Sequence, residues 1–537
     1  MKKERLGYVL IPLFLTLGII GGVFIGRYSA VRRTSAGEEK LRTVLGLIRN
    51  QYVDDIDIDS LLEQSIPDLL ASLDPHSAYI PAKDLNLTND DLEGSFGGIG
   101  VSFQVLNDTV TVVEIISNGP AEKVGLLAGD KILEANGKKL SGVKATSEDV
   151  FRTLRGKEET KVKVQVKRNS SKAPLTFDIT RGTIPQNSVD ASYMLKDDIG
   201  YIKVSKFART TYSEFYTALT RLQKEGAKKY VVDLRGNGGG FMDQAIYMVN
   251  EFLPAGRMIV MTKGRSAENE TIATSDGTGQ FQNVPLTVIT NEFSASASEI
   301  FAGAIQDNDR GLVIGRRSFG KGLVQNQLAL PDSSAIRLTV ARYYTPSGRC
   351  IQKEYTRGKD GNYDMDIADR FSHGEFYSQD SIKLDKSKLF HTMNGRKVYG
   401  GGGIMPDIFV PEDTTGYTGY YMEAVNKGLI NRYAQKMADA YRPMMKEKTL
   451  DEMLRIIPRD DTLLNNFVRY AAGQGLPARW YYINQSRSLL LNQIKGVIAR
   501  DLVGYEGLIR ILNQDDKTLD KALEMLETGK SPVDIQK

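Results

Sequence analysis

The sequence predicts an α/β protein of several domains, and three observations support this prediction. The chain has 537 residues, more than a single hydrophobic core accommodates. Residues 101–166 hold short runs with alternating apolar positions, which indicate a module of short strands. Residues 199–234 alternate strand and helix patterns, as parallel α/β units do. From residue 414 onward the pattern is helical, so we expect a helical C-terminal extension.

The composition argues against several classes of protein. The chain has 70 basic and 66 acidic residues, a balance that gives no argument for nucleic-acid binding. Cys350 is the single cysteine, so neither an internal disulfide nor a thiolate metal site is expected. Only His76, His373 and His391 are available for a Ser-His-Asp triad. No metal or organic cofactor is implied.

The N-terminal residues 1–34 contain a candidate membrane segment. Residues 7–26 are uncharged, largely apolar and just long enough to cross a bilayer as a helix. Lys2, Lys3 and Arg5 precede them, as in an export signal. The apolar stretch is long for a cleaved signal, and no clear small-residue cleavage site follows it. The pattern therefore favours an uncleaved anchor.

Residues 35–93 show an amphipathic helical pattern, with leucine and isoleucine at helical spacing up to Leu73. Pro75, in the run LDPHS, is expected to stop the helix. His76 lies in the same run, beside this proline. We interpret it as a structural turn residue rather than a catalyst.

Residues 94–184 contain the module of short strands. Two blocks lie between its strands: NGPAEKVGLLAGDKILEANG holds a short helix between turns, and SEDVFRTLRG is a second, amphipathic helix. These blocks resemble a PDZ domain, which captures a peptide as an added strand and grips its terminal carboxylate with backbone amides. The resemblance places the carboxylate loop at Gly98, Ile99 and Gly100. A glycine-rich loop by itself is equally typical of a simple turn.

Beyond residue 185, a buried strand at 230–234 continues into the run RGNGGGF. Four of the five residues 236–240 are glycine, which permits positive φ and close approach of the backbone to a neighbour. A flexible loop after a strand remains the alternative at this point.

Residues 284–290 (VPLTVIT) predict a strand, and residues 299–306 a helix. Between them, Ser296 and Glu299 have the S-x-x-E spacing of a capping box. Ser296 is therefore expected at the positive end of a helix dipole, where an alkoxide or a tetrahedral oxyanion is stabilised. An ordinary helix cap is the alternative.

Lys321 lies in the run SFGKG, and Gln325 follows four residues later. A serine nucleophile needs a base, and a lysine serves only if burial or a nearby cation keeps it neutral. The flanking glycines permit such burial, and the separation of four puts Lys321 and Gln325 on one face, so that the amide can orient the amine. A solvated surface lysine is the alternative.

The run SASASE followed by FGKGLVQ resembles the carboxy-terminal processing, or tail-specific, proteases, which are serine endopeptidases with a Ser/Lys dyad. The likeness covers roughly residues 40–410. It implies that Ser296 is the nucleophile, that Lys321 is the general base and that Gln325 positions the lysine. It also implies oxyanion amides at Gly239 and Ala297, with the donating glycine open by one position.

The resemblance further implies a ClpP/crotonase-like α/β protease core at residues 185–412. In this scheme the PDZ domain at 94–184 is inserted, the helical segment at 35–93 precedes it, and the helical extension at 413–537 follows the core. The run GGGIMPDI at 401–408 is similar to the segment that closes the core in this family.

The implied function is an exported serine endopeptidase, anchored in the inner membrane on its periplasmic side, that selects protein substrates by a free, apolar C-terminus. A catalytically silent PDZ scaffold on the same fold is one alternative. A crotonase-type enzyme that polarises a thioester is another, although the run GNGGGF lacks an acidic residue.

Two further stretches allow structural predictions. Residues 352–392 are polar and irregular, so we expect a surface excursion. Its aspartates lack the register of a calcium loop and are interpreted as a solvated acidic strip: Asp360, Asp364, Asp366 and Asp369. Trp480, in the run ARWYYINQ, is predicted to lie in a core, with a partner or homo-oligomer surface as the alternative.

Overall fold

The structure, a computed structural model, describes residues 35–106, 108–116, 119–142, 144–168, 171–358 and 361–535. The predicted membrane anchor at residues 7–26 lies outside these ranges. Within them, no helix is both long enough and apolar enough to cross a membrane. The chain divides into two compact units between Ser72 and Leu73, and each is described by itself.

The first unit has two helices, α1 (Ala36–Gln51) and α2 (Ile58–Ala71). Helix α1 begins at a capping box in which Ser35 and Glu38 satisfy each other's backbone amides. The helical prediction for this segment is confirmed. Helix α2 ends at Ala71, earlier than the predicted stop at Pro75.

The second unit opens with β1 (Ala78–Ile80) and α3 (Ala82–Glu93), which lead into the module of short strands. Strands β3, β4, β5, β7 and β8 form an antiparallel sheet in that order, β6 pairs with β5, and β2 pairs with β9. Strand β7 alternates buried valines with exposed lysines, the period-two pattern of a half-buried strand. The elements of the module are β2 (Ser95–Gly98), β3 (Val101–Leu106), β4 (Thr109–Ile115), α4 (Pro120–Lys123), β5 (Lys131–Ala135), β6 (Lys138–Lys139), α5 (Ser147–Leu154), β7 (Lys161–Lys167), β8 (Leu175–Thr180) and β9 (Gly182–Pro185).

The core contains a six-stranded sheet in the order β10-β11-β12-β15-β16-β21, parallel except for β10. Strands β12 and β15 are continuous buried runs because helices cover both faces of a parallel sheet. The elements that build it are β10 (Val189–Lys196), β11 (Ile199–Val204), α6 (Thr211–Lys224), β12 (Lys229–Asp233), α7 (Met242–Asn250), β13 (Met258–Gly264), β14 (Thr271–Thr274), β15 (Leu286–Thr290), α8 (Ala297–Asp307), β16 (Leu312–Gly315), β17 (Leu323–Ala329), β18 (Ala335–Tyr344), α9 (Gly361–Ser372), β19 (Leu389–His391), β20 (Lys397–Tyr399) and β21 (Ile408–Phe409).

A second, antiparallel sheet stands beside the first, in the order β1-β18-β13-β14, with β17 also paired to β18. It joins the start of the unit to residues far along the chain, since Ala78 pairs with Arg337. All residues of helix α8 are buried. Burial on every side is expected for a helix that has apolar side chains on most of its faces. The core therefore holds this helix rigidly.

The C-terminal region is helical, as predicted, and has its own core. Helix α17 of this region also packs on the six-stranded sheet. Its residues Leu519, Ala522 and Met525 lie in one apolar cluster with Val231 and Ile289. The helices are α10 (Gly419–Asn426), α11 (Leu429–Tyr441), α12 (Leu450–Ile456), α13 (Asp460–Gly473), α14 (Trp480–Gln485), α15 (Arg487–Leu502), α16 (Tyr505–Leu512), α17 (Lys517–Thr528) and α18 (Pro532–Ile535). Single 3-10 turns lie at Ala267–Asn269, Gln379–Ser381, Lys386–Lys388, Arg442–Met444 and Asn513–Asp515.

The prediction that Trp480 lies in a core is wrong. Trp480 is 44% exposed and Tyr481 is 72% exposed. Helix α14 is short and buries only Ile483, so one apolar side chain anchors it while the aromatic residues face outward.

The prediction of irregular structure at residues 352–392 is also wrong in part, because helix α9 and strand β19 lie there. Buried ion pairs order this stretch: Glu375 bonds both Arg317 and Arg370. Asp366 pairs with Lys353, whereas Asp364 and Asp369 are exposed. Asp360 lies outside the described residues. Within the described ranges, no group of three or more histidine, cysteine or acidic side chains is arranged to hold a metal ion.

Candidate active site

A cavity of about 500 Å³ brings the predicted site residues together. Ser296, Lys321, Gln325 and Gly239 all line it, although they come from three different segments of the chain. It lies where β12 and β15 end, the carboxyl edge at which parallel α/β sheets place their ligands. The sequence motifs therefore converge on one space.

Ser296 stands immediately before α8, and its backbone has φ 56° and ψ −113°. A positive φ is strained for a residue other than glycine and persists only where surrounding contacts enforce it. One such contact is the hydrogen bond from the Ser296 N–H to Glu299 Oε2, at 2.8 Å. In the predicted capping box, this is the hydrogen bond that the Glu299 side chain accepts.

Glu299 also joins this serine to the segment that carries the lysine. Its Oε2 accepts the Lys321 N–H at 2.8 Å, and its Oε1 accepts the Gly320 N–H at 2.7 Å. The Ser318 hydroxyl donates to Oε1 at 2.5 Å. Burial raises the pKa of Glu299 to about 7, against the lowering effect of these donors. The glutamate of the predicted capping box therefore also binds the segment that carries Lys321. The S-x-x-E spacing did not reveal this second contact.

Tyr343 also joins the two segments, through their carbonyl groups, and no sequence pattern predicts this role. Its hydroxyl donates toward Lys321 O at 2.6 Å and lies 3.2 Å from Ser296 O. Tyr343 is buried near the end of β18, where buried and more exposed residues alternate over residues 341–344.

Lys321 is half-buried beside the cavity. Burial lowers the pKa of its ammonium group below the usual value of 10.5, and the positive charge of Arg337 lowers it further. The negative charges of Glu299 and Asp74 act in the opposite direction. Because the lowering effects prevail, the neutral amine that a lysine base requires is favoured.

Gly239, the glycine predicted to donate to the oxyanion, lies against Ser296. Its φ is +100°, and a Cβ added there would stand 2.7 Å from Ser296 Cβ. The Gly239 N–H donates to Asn237 Oδ1 at 2.9 Å, so the amide predicted for the oxyanion hole already has a partner. The Ala297 N–H, at the first helical position, has no intrahelical acceptor.

The turn that contains His76 lies near the lysine. The Asp74 carboxylate accepts the N–H groups of His76 and Ser77, each at 2.9 Å, which gives the turn its shape. His76 Nε2 is 2.7 Å from Tyr363 Oη. Burial, followed by the charge of Lys321, lowers the pKa of His76 to about 4, so the ring is neutral at neutral pH.

The end of helix α3 contributes further to the cavity, with Asn89, Leu92 and Glu93. Asn89 Oδ1 accepts a hydrogen bond from Gln327 Nε2 at 2.9 Å, and Leu92 O accepts the Arg209 N–H at 2.8 Å. This wall leads directly into the module of short strands. The sequence pattern did not predict it.

The predicted carboxylate loop lies at the start of that module. Gly98 ends β2 and pairs with Gly182, and Ile99 is buried. The carbonyls of Ile99 and Gly100 accept the N–H groups of Ala121 and Ile116. The loop is therefore fixed beside the edge strand β3, where an added peptide strand would pair.

Family models match three parts of the chain. The model of Peptidase family S41 matches residues 198–361, and that of the PDZ domain matches residues 97–179. Residues 420–504 match a family of unknown function. The α/β core and the module of short strands are thus each recognised on their own.

Two named proteases match this chain over more than two thirds of their own length. The chain is 40% identical over 310 residues to the carboxy-terminal-processing protease of Bartonella bacilliformis, covering 57% of this chain and 70% of that protein. It is 33% identical over 341 residues to the carboxy-terminal processing protease CtpA of Bacillus subtilis, covering 63% and 72%. A solved structure, the photosystem II D1 C-terminal processing protease, is 29% identical and covers 59% of this chain and 84% of its own, with a TM-score of 0.35.

These matches define the class of the protein as a serine peptidase with a PDZ domain. The chain belongs to peptidase family S41, among the carboxy-terminal processing proteases. The fold class and the peptidase activity predicted from the sequence are confirmed.

Replacement of Gly239 tests how tightly the glycine loop is packed against the serine. In Gly239→Ala, the new Cβ overlaps Ser296 and the positive φ is strained, so we expect peptidase activity to fall by roughly 100-fold or more. Gly236→Ala is the matched control, because its φ is +72° but its Cβ meets nothing within 4 Å. Peptide hydrolysis and thermal unfolding are measured for both. Equal activity in the two variants would contradict the close packing.

Proposed function

We propose that Ser296 is the nucleophile, that Lys321 is its general base and that Gln325 orients the lysine. The observation that carries this assignment is that all three side chains line a single cavity at the N-terminus of α8. The lowered pKa of Lys321 supports the role of a base.

In the proposed reaction, Lys321 Nζ takes the proton of the Ser296 hydroxyl as Oγ attacks the substrate carbonyl. Collapse of the tetrahedral intermediate breaks the C–N bond, and the Lys321 ammonium returns the proton to the leaving amine. Water then attacks the acyl-enzyme with the same amine as base, which releases the new C-terminus and restores Ser296.

The oxyanion is proposed to bind the Ala297 N–H together with an amide of the glycine loop. The fixed dipole at the start of α8 adds to this stabilisation. For Gly239 to be the second donor, its N–H must exchange Asn237 Oδ1 for the oxyanion. The neighbouring glycine amides, Gly238 and Gly240, also line the cavity and keep the choice of glycine open by one position.

The PDZ domain is proposed to hold a free, apolar C-terminus at Gly98, Ile99 and Gly100 while the upstream chain reaches Ser296. The wall of α3 beside the cavity runs into this domain, which supports delivery of a tail-held substrate. We further propose that residues 7–26 anchor the protein in the inner membrane with its catalytic domains on the periplasmic side. The length of the apolar stretch and the basic residues before it support an anchor of the export type, whereas the periplasmic orientation rests on the family likeness.

A pair of peptides tests both the nucleophile and the selection of tails. We expect the protein to cleave a peptide that ends in a free apolar carboxylate much faster than its C-amidated twin, because the amide removes the charge that the loop grips. Ser296→Ala should lose at least about 1,000-fold of the activity. Mass spectrometry of the products measures both effects. Equal cleavage of the two peptides would exclude the carboxylate grip, and a fully active Ser296→Ala would exclude the nucleophile.

The pH dependence of hydrolysis tests the lysine. Since Lys321 must lose its proton to act, kcat should rise with pH along an acidic limb. Arg337 lowers the pKa of Lys321, so Arg337→Gln should raise that pKa and move the limb to higher pH. Arg342→Gln is the control, because it removes the same charge from an exposed position of the same strand. A limb that stays in place in Arg337→Gln would contradict the assignment.

A further inference from the structure

The turn between Asp74 and Ser77 is fixed on strand β18. Asp74 is 5% exposed, and besides two backbone amides it accepts the Ser77 hydroxyl at 2.6 Å. Ser77 Oγ in turn accepts the Thr339 N–H at 3.1 Å. The next residue in the chain, Ala78, pairs with Arg337 of β18. The turn therefore cannot shift without disturbing the sheet.

Thr339 connects this turn to the proposed orienting residue. It is the cross-strand partner of Gln325. The Thr339 hydroxyl donates to Asp74 Oδ1 at 3.0 Å, and Gln325 Nε2 donates to Thr339 Oγ1 at 3.3 Å. A chain of two hydrogen bonds therefore runs from the buried carboxylate to the side chain beside Lys321.

The carboxylate determines the direction of this chain. Burial acts to raise the pKa of Asp74, but hydrogen bonds from Ser77, His76 and Thr339 hold it below its usual value, so Asp74 is ionised at neutral pH. An ionised carboxylate only accepts hydrogen bonds. The single proton of Thr339 must then point to Asp74, and its lone pair must face Gln325. The Gln325 amide is thereby turned with its NH₂ toward Thr339 and its oxygen away.

We propose that Asp74 is a positioning residue for the general base: acting through Thr339, it holds the Gln325 amide so that its carbonyl oxygen faces Lys321. This inference rests on the proposed roles of Lys321 and Gln325. An oxygen accepts an N–H of the lysine amine and leaves the nitrogen lone pair for the Ser296 proton. An inverted amide would direct two N–H groups at an amine that has to accept a proton.

The charge of Asp74 gives the proposal a signature in the pH profile. Lys321 is faced by Glu299 from α8, by Arg337 from β18, and by Asp74 and His76 from the turn. Glu93 and Arg209 line the same cavity. Burial has the largest effect and lowers the pKa of Lys321, Arg337 lowers it further, and Asp74 raises it. Removal of the Asp74 charge should therefore move the acidic limb of kcat to lower pH.

Three variants of the full chain test the proposal. Asp74→Ala removes the oxygen that accepts the Thr339 hydroxyl and so frees that proton to point toward Gln325, and we expect kcat to fall by about tenfold or more, with the limb shifted to lower pH. Thr339→Val keeps the shape but removes the hydroxyl, and should lose about tenfold with the limb unshifted. Thr339→Ser keeps the hydroxyl and should stay within about threefold of the wild type.

A double-mutant cycle then shows whether Asp74 acts through Gln325. We expect Asp74→Ala to reduce kcat by less than about twofold in a Gln325→Ala background, because the orientation to be fixed is already lost. If the two substitutions instead multiply their separate effects on kcat, the proposal is overturned. Full activity in Asp74→Ala would overturn it as well, and so would a loss of activity that matches the loss of thermal stability without any shift of the acidic limb. A fully active Ser296→Ala would instead contradict the proposed function itself, so the two failures are distinguishable.

Discussion

The architecture of the site depends on one buried carboxylate, that of Glu299. It accepts the N–H groups of Ser296, Gly320 and Lys321 and the hydroxyl of Ser318. These donors belong to two separate segments, the start of helix α8 and the loop before strand β17. Each would cost about 1–3 kcal/mol if it were left buried without an acceptor. The carboxylate therefore sets the separation of the two segments, and Tyr343 reinforces it by joining their carbonyl groups.

The same burial has opposite effects on the two ionisable groups that meet there. It raises the pKa of Glu299 and lowers that of Lys321, since a low-dielectric surrounding disfavours either charge. A lysine with a lowered pKa beside a helix N-terminus would suit proton abstraction from a serine. The proposed dyad would then need no histidine, because burial and the nearby Arg337 both lower the pKa of Lys321.

The sequence predicts those features that depend on a short stretch of the chain. Ser296, Lys321 and Gln325 can be named as candidates because a capped helix, a glycine-flanked lysine and the family's two motifs are short patterns, and the buried strands are recognisable as apolar runs. The partner of the Gly239 amide and the link from Asp74 to Thr339 depend on loop geometry and long-range pairing, which spacing does not encode. Trp480 was misplaced because an aromatic cluster indicates burial only on average.

Whether Lys321 can act as the general base depends on its own ionisation. Lysine carrying ¹³C at its ε carbon reports protonation in an NMR titration of the full chain, and the signal of Lys321 is assigned by its loss in Lys321→Arg. The Ser296→Ala background prevents self-cleavage during the measurement. We expect a midpoint clearly below the usual 10.5. A midpoint at or above that value would mean that Lys321 stays charged, and the lysine would not be the base.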